Sequence, residues 1–405
     1  MVTNKEQNKL NVPHLRFPEF HGEWEKHGLS EYLDFKNGLN PDSKRFGKGI
    51  KFISVMDILN NPVITYDCIR ASVQATDAEM SSFSVEYGDI LFQRSSETLE
   101  DVGRANVYID DKVAVFGGFV IRGKKKANYN PLFFRYLLSS PYARKRIIPM
   151  GAGAQHFNIG QEGLSKVLLN FPSIEEQTKI ASLLHLLDER IATQSKLIEK
   201  LESLIKGINQ RVFMNSGNNY KLGEICEIRS GYSGSQLLSK KGLKVSRIET
   251  ISGHKVNMER VGYVAPFESS ENYRLRVGDI LFSNINSVEY IGNTAFIDKD
   301  YDLYHGMNLL RLTPNHMVVI PFYLYLLLNT NRMLNRFKAV CNKAVSQASI
   351  NQTELGKTVV QIPPINTQEQ ICELYQALYT KLETESHTKS LFQNQKQYML
   401  RQMFI

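Results

Sequence analysis

The sequence is short of cysteine and of long apolar stretches, and each shortage excludes a class of protein. Its four cysteines are far apart and form no CxxC pair, which excludes a paired-cysteine zinc site and is typical of free thiols in a reducing compartment. No run of about 18 apolar residues occurs, so we expect no membrane span and no membrane partner. The N-terminal stretch is polar, unlike a secretory signal. The sequence therefore predicts a cytoplasmic protein.

Motifs of catalysis are also missing. The chain has no GxxxxGKS/T phosphate loop, no GxGxxG turn, no HExxH helix and no Asn/Asp-Pro-Pro-aromatic motif for amino-group methylation. Residues 41–44 weakly match a nuclease carboxylate motif, but no correctly spaced Glu-x-Lys follows them. The histidines are dispersed along the chain. We therefore expect no catalytic residues, no metal and no cofactor, although an enzyme with an unusual site and a two-headed protein scaffold stay open as alternatives.

The charge of the chain is positive, with a formal net charge of +8 and a pI near 9.1. Five basic clusters occur, at Lys44, Arg45, Lys48 and Lys51; Arg122, Lys124, Lys125 and Lys126; Arg144, Lys145 and Arg146; Lys240, Lys241, Lys244 and Arg247; and Arg332, Arg336, Lys338 and Lys343. Because they fall at comparable places in the two halves, they indicate a surface that follows phosphates. Ordinary solvated faces are the alternative interpretation for some of them.

One long amphipathic helix is predicted in the middle of the chain, over residues 172–213. Ser173 is a candidate N-cap and Glu176 stands three residues on, which is the spacing of a capping box. Apolar residues then recur in steps of four and three, at Ile180, Leu184, Leu187, Ile191, Ile198, Leu201, Ile205, Ile208 and Val212. Such a heptad seam requires a partner helix, and it predicts a rod of roughly 50 Å.

A second long helix is predicted at the end of the sequence. The phrase that begins at Pro363-Pro364 repeats the entry to the first helix, and Ile371 matches Ile180. Its seam continues through Tyr375, Leu378, Leu382, Phe392, Met399 and Met403. The middle of this helix is more polar, since Glu385 and Lys389 fall on the seam. Two unrelated helices, each packed on its own domain, are the alternative.

The rest of the chain is a tandem repeat of a unit of roughly 190 residues. The motif GDILF occurs at residues 88–92 and again at 278–282. Other matches keep the same order, namely Leu29 with Leu222, Gly38 with Gly231, Ile109-Asp110 with Ile297-Asp298, Ile159 with Ile350 and Leu164 with Leu355. Matches in one order with slowly drifting offsets indicate duplication followed by small insertions.

Each repeat is predicted to be a mixed α+β domain, because strands come first and helices later. Predicted strands lie at residues 29–35, 50–55 and 167–171 and at 222–228, 243–248 and 358–362, with a strand at each GDILF and two around each Ile-Asp pair. Predicted helices lie at 131–140 and 321–329. Because the ends of a domain usually lie close together, the two long helices should run antiparallel. The expected molecule is a dumbbell with approximate two-fold symmetry.

The two GDILF motifs and the helix openings FPSIEEQ and IPPINTQEQ resemble those of specificity subunits of type I restriction–modification systems. Leu15-Arg16-Phe17-Pro18-Glu19-Phe20 with Trp24 resembles the leader of such subunits. The resemblance implies a leader and first target-recognition domain at 1–172, a spacer helix at 173–215, a second target-recognition domain at 216–363 and a second spacer helix at 364–405. It implies a non-catalytic subunit that binds double-stranded DNA together with two methyltransferase subunits and with restriction (translocase–nuclease) subunits.

Two polar loops in each domain have the side-chain chemistry of base recognition. The first follows GDILF and contains Gln93, Arg94, Ser95 and Ser96 in one domain and Ser283, Asn284 and Asn286 in the other. The second precedes the last strand and contains Gln155, His156 and Asn158, or Ser346 and Gln347. Ordinary turn polarity is the alternative for each. Because the two domains differ at these positions, the target should be asymmetric.

Overall fold

A computed structural model describes residues 11–213, 217–343 and 347–405. The polar N-terminus and Ser346 of the sequence predictions lie outside these ranges, as does the side chain of Lys343. The chain divides into two units, which we describe separately. Unit 1 contains the described residues up to Lys196 together with Ser386–Ile405. Unit 2 contains the described residues of the range Leu197–Glu385. Each unit includes part of the first long helix, Ile174–Val212, and part of the second, Ile365–Gln402.

Unit 1 is built on an antiparallel four-stranded sheet with the order Leu33–Asn37, Val120–Lys125, Ile90–Gln93 and Ala105–Val107. Ile90 and Phe92 of the GDILF strand enter one core and Leu91 enters another, since side chains alternate across a strand. Its continuous apolar run is therefore explained by burial on both faces.

The other elements of unit 1 surround this sheet. A second sheet has the order Ser72–Val73, Phe46–Ile53, Ala114–Phe116 and Ser84–Val85, and two further pairs join Glu25–Gly28 to Leu168–Phe171 and Ser95–Ser96 to Phe157–Asn158. The short helices are Leu29–Tyr32, Val55–Asn60, Asp77–Phe83, Pro131–Ser139, Pro141–Ile147 and Gln161–Ser165.

Unit 2 repeats the topology of the main four-stranded sheet. Its four-stranded sheet has the order Cys226–Ser230, Leu309–Pro314, Ile280–Ser283 and Thr294–Phe296. Other strands pair Asn218–Lys221 with Val359–Ile362, Leu243–Val245 with Gly262–Val264, and Ala348–Ser349 with both Ile285–Asn286 and Asn342–Lys343. Its short helices are Leu222–Ile225, Pro321–Leu328, Asn331–Val340 and Gln352–Gly356. The tandem repeat and the mixed helix-and-sheet class are confirmed.

The GDILF motif is a structural turn in both units. Gly88 and Gly278 have φ angles of +93° and +98°, a left-handed conformation that favours glycine. The buried Asp89 carboxylate accepts hydrogen bonds from the backbone of Glu86 (3.0 Å) and of Lys125 (2.9 Å), so it ties the turn to the neighbouring strand. Burial nevertheless raises the pKa of Asp89. Asp279 accepts in the same way from Arg276 N (2.8 Å), and it is tied to the neighbouring strand by the Thr313 hydroxyl (2.6 Å).

The helix openings are also structural, through one glutamine in each. Gln177 accepts from Asn130 N (3.1 Å) and donates to Pro172 O (3.0 Å). Gln368, its counterpart in unit 2, accepts from Ile320 N (2.8 Å) and donates to Pro363 O (2.8 Å). Each glutamine therefore fastens its long helix to the loop that enters the helix at Pro131 or Pro321.

The predicted capping box forms only in part. Ser173 Oγ accepts from Glu176 N at 3.3 Å, as expected of an N-cap. The Glu176 carboxylate does not complete the box, because it forms two hydrogen bonds of 2.7 and 2.8 Å with the Arg16 guanidinium. A long-range ion pair at this nearly buried carboxylate therefore replaces the local contact.

The seam of the long helices is buried where each unit packs on it. In unit 1, Ile180, Leu184 and Leu187 join the main core, with Phe392 and Met399 packed against it. The two segments run in opposite directions there, because Asp188 pairs with Lys396 while Arg190, later in the chain, lies over the ring of Phe392, which is earlier.

In unit 2 the corresponding packing involves the other halves of the same helices. Ile205 is buried, and Ile208, Leu378 and Leu382 pack beside it. Tyr375 donates to the Asn209 side chain across the helix pair. Ile191, Ile198 and Leu201 are half-buried. Glu385 is buried on the seam and pairs with Lys381, so the polar middle predicted for the second helix is present.

Two details of the predicted elements were wrong. The strands predicted at 29–35 and 222–228 each begin with one helical turn, because Glu31 and Glu224 accept the backbone N–H of Gly28 (2.6 Å) and Lys221 (2.8 Å). No helix was predicted after those at 131–140 and 321–329, but the segments that follow them form the helices Pro141–Ile147 and Asn331–Val340.

Candidate nucleic-acid interface

Unit 1 brings its two predicted loops together. Ser95–Ser96 pairs in antiparallel register with Phe157–Asn158, and the Ser95 hydroxyl donates to the Asn158 side chain. Arg94 O accepts from Ile159 N at 2.9 Å, which continues the pairing. Residues 94–96 and 152–158, which we call the paired-loop surface of unit 1, are therefore one structure although about 60 residues separate them in sequence.

Side chains of this surface differ in their access to solvent. Gln155 and His156 are exposed at the tip of a hairpin closed by two hydrogen bonds between Ala152 and Asn158, of 2.8 and 2.9 Å. Ser96 is half-exposed, and the half-buried Arg94 donates to Gly118 O at 3.3 Å. Gln93 is buried and donates to Ser95 O at 2.9 Å, so it supports the loop from its buried side and is not exposed to solvent.

Unit 2 makes the same junction with different side chains. Ile285–Asn286 pairs with Ala348–Ser349, and Asn284 O accepts from Ile350 N at 2.9 Å. The buried Ser283 hydroxyl accepts from Asn286 Nδ2 at 3.1 Å, so Ser283 also lies beneath its loop. Gln347 is exposed. We call residues 284–286 and 347–349 the paired-loop surface of unit 2.

The sequence analysis missed an aromatic side chain beside the surface of unit 1. Phe119 is 69% exposed, and its carbonyl accepts from Arg94 N at 2.9 Å. It follows Gly117 and Gly118, and a Cβ at Gly118 would clash with the Asn40 side chain. The Gly-Gly-Phe turn in the sequence was the available signal. Unit 2 has Asn308, with a φ of +65°, at the position of Phe119.

Several predicted basic residues lie elsewhere. Lys124 and Lys125 stand at the far end of the strand Val120–Lys125, about 13 and 16 Å from the end that pairs with Gln93 at ~3.3 Å per residue. Lys124 is near Glu86, and Lys125 lies over the Tyr129 ring at 4.8 Å. The structure therefore does not bring these lysines to the paired loops.

Among the other basic residues predicted to contact DNA, some side chains are exposed and one forms an ion pair within its unit. Lys44, Lys240 and Lys241 are exposed. Arg45 forms an ion pair with Glu79, and this arginine together with the Thr76 backbone lowers the pKa of the Glu79 carboxyl to about 2. Arg45 is therefore engaged within unit 1.

Two arginines of the predicted basic clusters have structural roles instead. Arg122 is buried and donates to Ser84 O. Arg144 donates to the carbonyls of Gly103, Glu100 and Val102, and burial lowers its pKa to about 10. Both guanidinium groups bond backbone carbonyls within unit 1, so we assign these two arginines structural roles rather than places on the predicted phosphate-following surface.

Within the described ranges, no group of three or more His, Cys, Asp or Glu side chains is placed to hold a metal ion. No helix in those ranges is long and apolar enough to cross a membrane. The polar groups at the paired loops are amide, hydroxyl, imidazole and guanidinium groups, which hydrogen-bond the edges of bases.

A family profile described as the type I restriction modification DNA specificity domain matches residues 21–203 and 216–391. The chain is 38% identical over 188 residues to the putative type I restriction enzyme MjaX specificity subunit of Methanocaldococcus jannaschii, a match that covers 45% of this chain and 44% of that protein. It is 25% identical over 325 residues to the type I restriction enzyme EcoKI specificity subunit of Escherichia coli, covering 73% and 68% respectively.

Solved structures show the same fold at low identity. An S subunit of a type I restriction–modification system from M. genitalium has a TM-score of 0.59 at 16% identity, with 97% of this chain and 99% of that chain covered. The HsdS subunit from Thermoanaerobacter tengcongensis has a TM-score of 0.50 at 16% identity, with 94% and 96% covered. The two matched segments together include most of the described residues of both units. The chain therefore belongs to the type I restriction modification DNA specificity domain family, of which it carries two tandem copies, and the relatives named above are specificity subunits.

Proposed function

We propose that each paired-loop surface reads one half of an asymmetric, bipartite double-stranded DNA target. The observation that carries this proposal is the junction of two polar loops at the same place in both units. Because the two surfaces expose different side chains, such as His156 in one and Gln347 in the other, they suit different base sequences.

The side chains divide into two groups by position. Arg94, Ser96, Gln155, His156 and Asn158 in unit 1, and Asn284, Asn286 and Gln347 in unit 2, stand on or beside the paired loops and are the proposed base contacts. Gln93 and Ser283 position the loops. Lys44, Lys124, Lys125, Lys240 and Lys241 stand apart and are the proposed phosphate contacts, which position DNA without reading its sequence.

The test is target mapping with the assembled methyltransferase complex. Alanine at both Gln155 and His156 should relax preference in one half of the target only, because each side chain that reads a base contributes about 1–3 kcal/mol of discrimination. Alanine at both Asn286 and Gln347 should relax the other half. Glu162→Ala is a control in unit 1, since Glu162 is exposed and pairs only with Lys166 at the surface. A change in both halves from either double variant would contradict the two-reader proposal.

Phosphate contacts should behave differently. Lys240→Ala should weaken binding to all sequences alike and should reduce the slope of log K against log salt by about one. Lys357→Ala is a matched control, because that lysine is also exposed in unit 2 but is engaged by Glu354 at 2.8 Å. A fall in affinity for only some sequences would show that Lys240 reads bases.

The long helices are the proposed docking sites for two methyltransferase subunits, with restriction subunits joining the complex. Large apolar side chains on their outer faces support this, since Leu186, Leu204, Leu391 and Tyr398 are each at least half exposed. In this proposal residues 1–172 and 216–363 are the recognition domains, and 173–215 and 364–405 are the spacers. In this proposal the chain needs no cofactor of its own and acts in the cytoplasm.

A further inference from the structure

The two units are copies of one fold, so a feature present in only one of them is informative. In unit 1 a segment before the strand Glu25–Gly28 folds back onto the domain. Trp24 is 2% exposed, and its ring meets those of Phe133 and Phe404 at centroid distances of 6.2 and 6.3 Å. Unit 1 therefore buries an aromatic side chain of its own N-terminal segment.

Backbone and amide contacts hold this segment in place. Trp24 N donates to Asn11 O at 2.8 Å, and Asn170 Nδ2 donates to Asn11 Oδ1 at 3.1 Å. Leu15 N donates to Gln402 O, near the end of the second long helix, at 2.9 Å. Residues 11–24 therefore close the space between the helix end, the strand Leu168–Phe171 and the pair of rings Phe133 and Phe404, which we call the aromatic floor of unit 1.

Unit 2 has the same floor. Phe213 and Tyr323 lie 5.4 Å apart, as Phe404 and Phe133 do at 5.7 Å in unit 1. The strand Asn218–Lys221 pairs with Val359–Ile362 in the register of Glu25–Gly28 with Leu168–Phe171, so Gly217 stands where unit 1 has Trp24. Glycine supplies no side chain to cover the floor, and Phe213 is only half-buried while Phe404 is 3% exposed.

A cavity of about 690 Å³ in unit 2 adjoins the Phe213 side of this floor, whereas Tyr323 is 2% exposed and lies beneath it. Its apolar lining comes from Phe213, Leu327, Met333 and Val360. Lys206, Arg332 and Arg336 supply positive charge, and none of the described lining residues is acidic. Asn209, Gln210, Asn219, Asn331 and Gln361 supply amides, which pair with a peptide backbone as Asn170 pairs with Asn11.

We propose that this cavity docks an extended segment of a partner protein that carries an aromatic side chain and a neighbouring carboxylate. The aromatic ring packs against Phe213 from the side that Trp24 takes in unit 1, and the carboxylate pairs with Lys206 in the positive field of the cavity, to which Arg336 contributes while it donates to Val359 O. A protein suits the site better than DNA because the floor is apolar. The cavity adjoins the start of the helix Asn331–Val340, which is about 15 Å long. The strand Asn342–Lys343 follows the helix and pairs with Ala348–Ser349 of the paired-loop surface of unit 2. The proposal does not depend on DNA recognition by that surface.

The test uses the full chain and a labelled synthetic peptide with the sequence of residues 11–24, which contains Trp24, Glu19 and Glu23. Fluorescence anisotropy should show saturable binding, weakened about tenfold or more by alanine in place of the tryptophan.

Variants of the chain test the cavity itself. Lys206→Glu should weaken peptide binding about tenfold, and Asn331→Trp, which fills the cavity, should abolish it. Lys200→Glu, an exposed lysine on the same helix outside the cavity, is the control. No binding, or binding that Lys206→Glu and Asn331→Trp leave unchanged, would overturn the proposal.

A second measurement uses the assembled complex and separates a protein partner from DNA. Gln210 replaced by the photo-crosslinking residue p-benzoylphenylalanine should crosslink to a partner segment with an aromatic residue and an acidic one. A crosslink to DNA, or to no macromolecule, would overturn the proposal. Lys206→Glu should leave the mapped DNA target unchanged, so a failure here is distinguishable from a failure of the two-reader proposal.

Discussion

Single buried side chains explain why short phrases recur in the two halves of this chain. The aspartate of each GDILF motif holds a turn, and the glutamine of each helix opening fastens a long helix to its domain. Both side chains are buried and hydrogen-bonded to the backbone. Their replacement would leave backbone N–H groups without partners, so these positions carry stability rather than recognition.

Replacement of either glutamine should therefore cost stability in its own unit. We expect Gln177→Ala and Gln368→Ala each to lower the free energy of unfolding by about 1–3 kcal/mol, because the partly buried Asn130 N or Ile320 N would be left without its acceptor. Urea unfolding measures the change. Gln395→Ala, on an exposed face of the second long helix, is the control and should have no effect. Equal stability of all three variants would refute the structural role.

A buried histidine makes unit 2 sensitive to acid. His305 is 1% exposed and its Nε2 lies 2.9 Å from Leu309 O; burial, with a smaller contribution from Arg311, lowers its pKa to about 4. Because the folded state resists protonation, the stability that His305 contributes is complete above the unfolded pKa of about 6.5 and is lost as the pH falls toward 4.

Unit 2 should accordingly lose about 2 kcal/mol of unfolding free energy between pH 7 and pH 5, from the linkage between those two pKa values. His305→Gln keeps a hydrogen-bond donor but does not titrate, so it should remove this dependence. Unit 1 has Phe116 at the equivalent position and provides an internal reference. An undiminished pH dependence in His305→Gln would assign the acid sensitivity to other groups.

The long helices combine a buried seam with an exposed apolar face, and adjacent leucines separate these two roles. Leu187 is 6% exposed on the seam, whereas Leu186 is 56% exposed. The first belongs to the core of unit 1, and the second is available to a partner subunit.

Aspartate at these two neighbouring positions should therefore impair different properties, stability at Leu187 and assembly at Leu186. Leu187→Asp should destabilise the isolated chain by several kcal/mol, roughly 2–5, because a charge would enter an apolar seam. Leu186→Asp should leave chain stability nearly unchanged and should impair assembly with the methyltransferase subunits. Thermal unfolding and size-exclusion chromatography measure the two outcomes. A stable, fully assembling Leu187→Asp variant would refute the seam.

For the molecule as a whole, we predict that the long helices set the distance between the two half-sites. One heptad added to both helices, between Ile191 and Ile198 and near Lys389, preserves the seam and lengthens each helix by ~10 Å. This length is close to three base pairs, which also turn the second half-site by roughly 100°. The variant should prefer a spacer longer by about one to three base pairs and should bind it more weakly than the parent binds its own target.

Methylation of targets with graded spacers measures this prediction. A heptad added to the first helix alone is the control, and it should disrupt the seam rather than shift the optimum. An unchanged spacer optimum in the doubly extended variant would show that the helices do not set the distance.

The sequence by itself determined the duplication, the α+β class and the two long helices. A repeat is found when the chain is aligned with itself, and a heptad and a capping residue are recognised from their neighbours along the chain. The polar loops were also visible as candidates. The sequence did not show that Ser95 pairs with Asn158, or that Arg122 and Arg144 donate to backbone carbonyls of their own unit, because those partners are distant in the chain. Nor did it show that Trp24 covers a floor in unit 1 while Phe213 lines an open cavity in unit 2. Packing between distant segments decides which polar and aromatic side chains become structure and which stay available for binding.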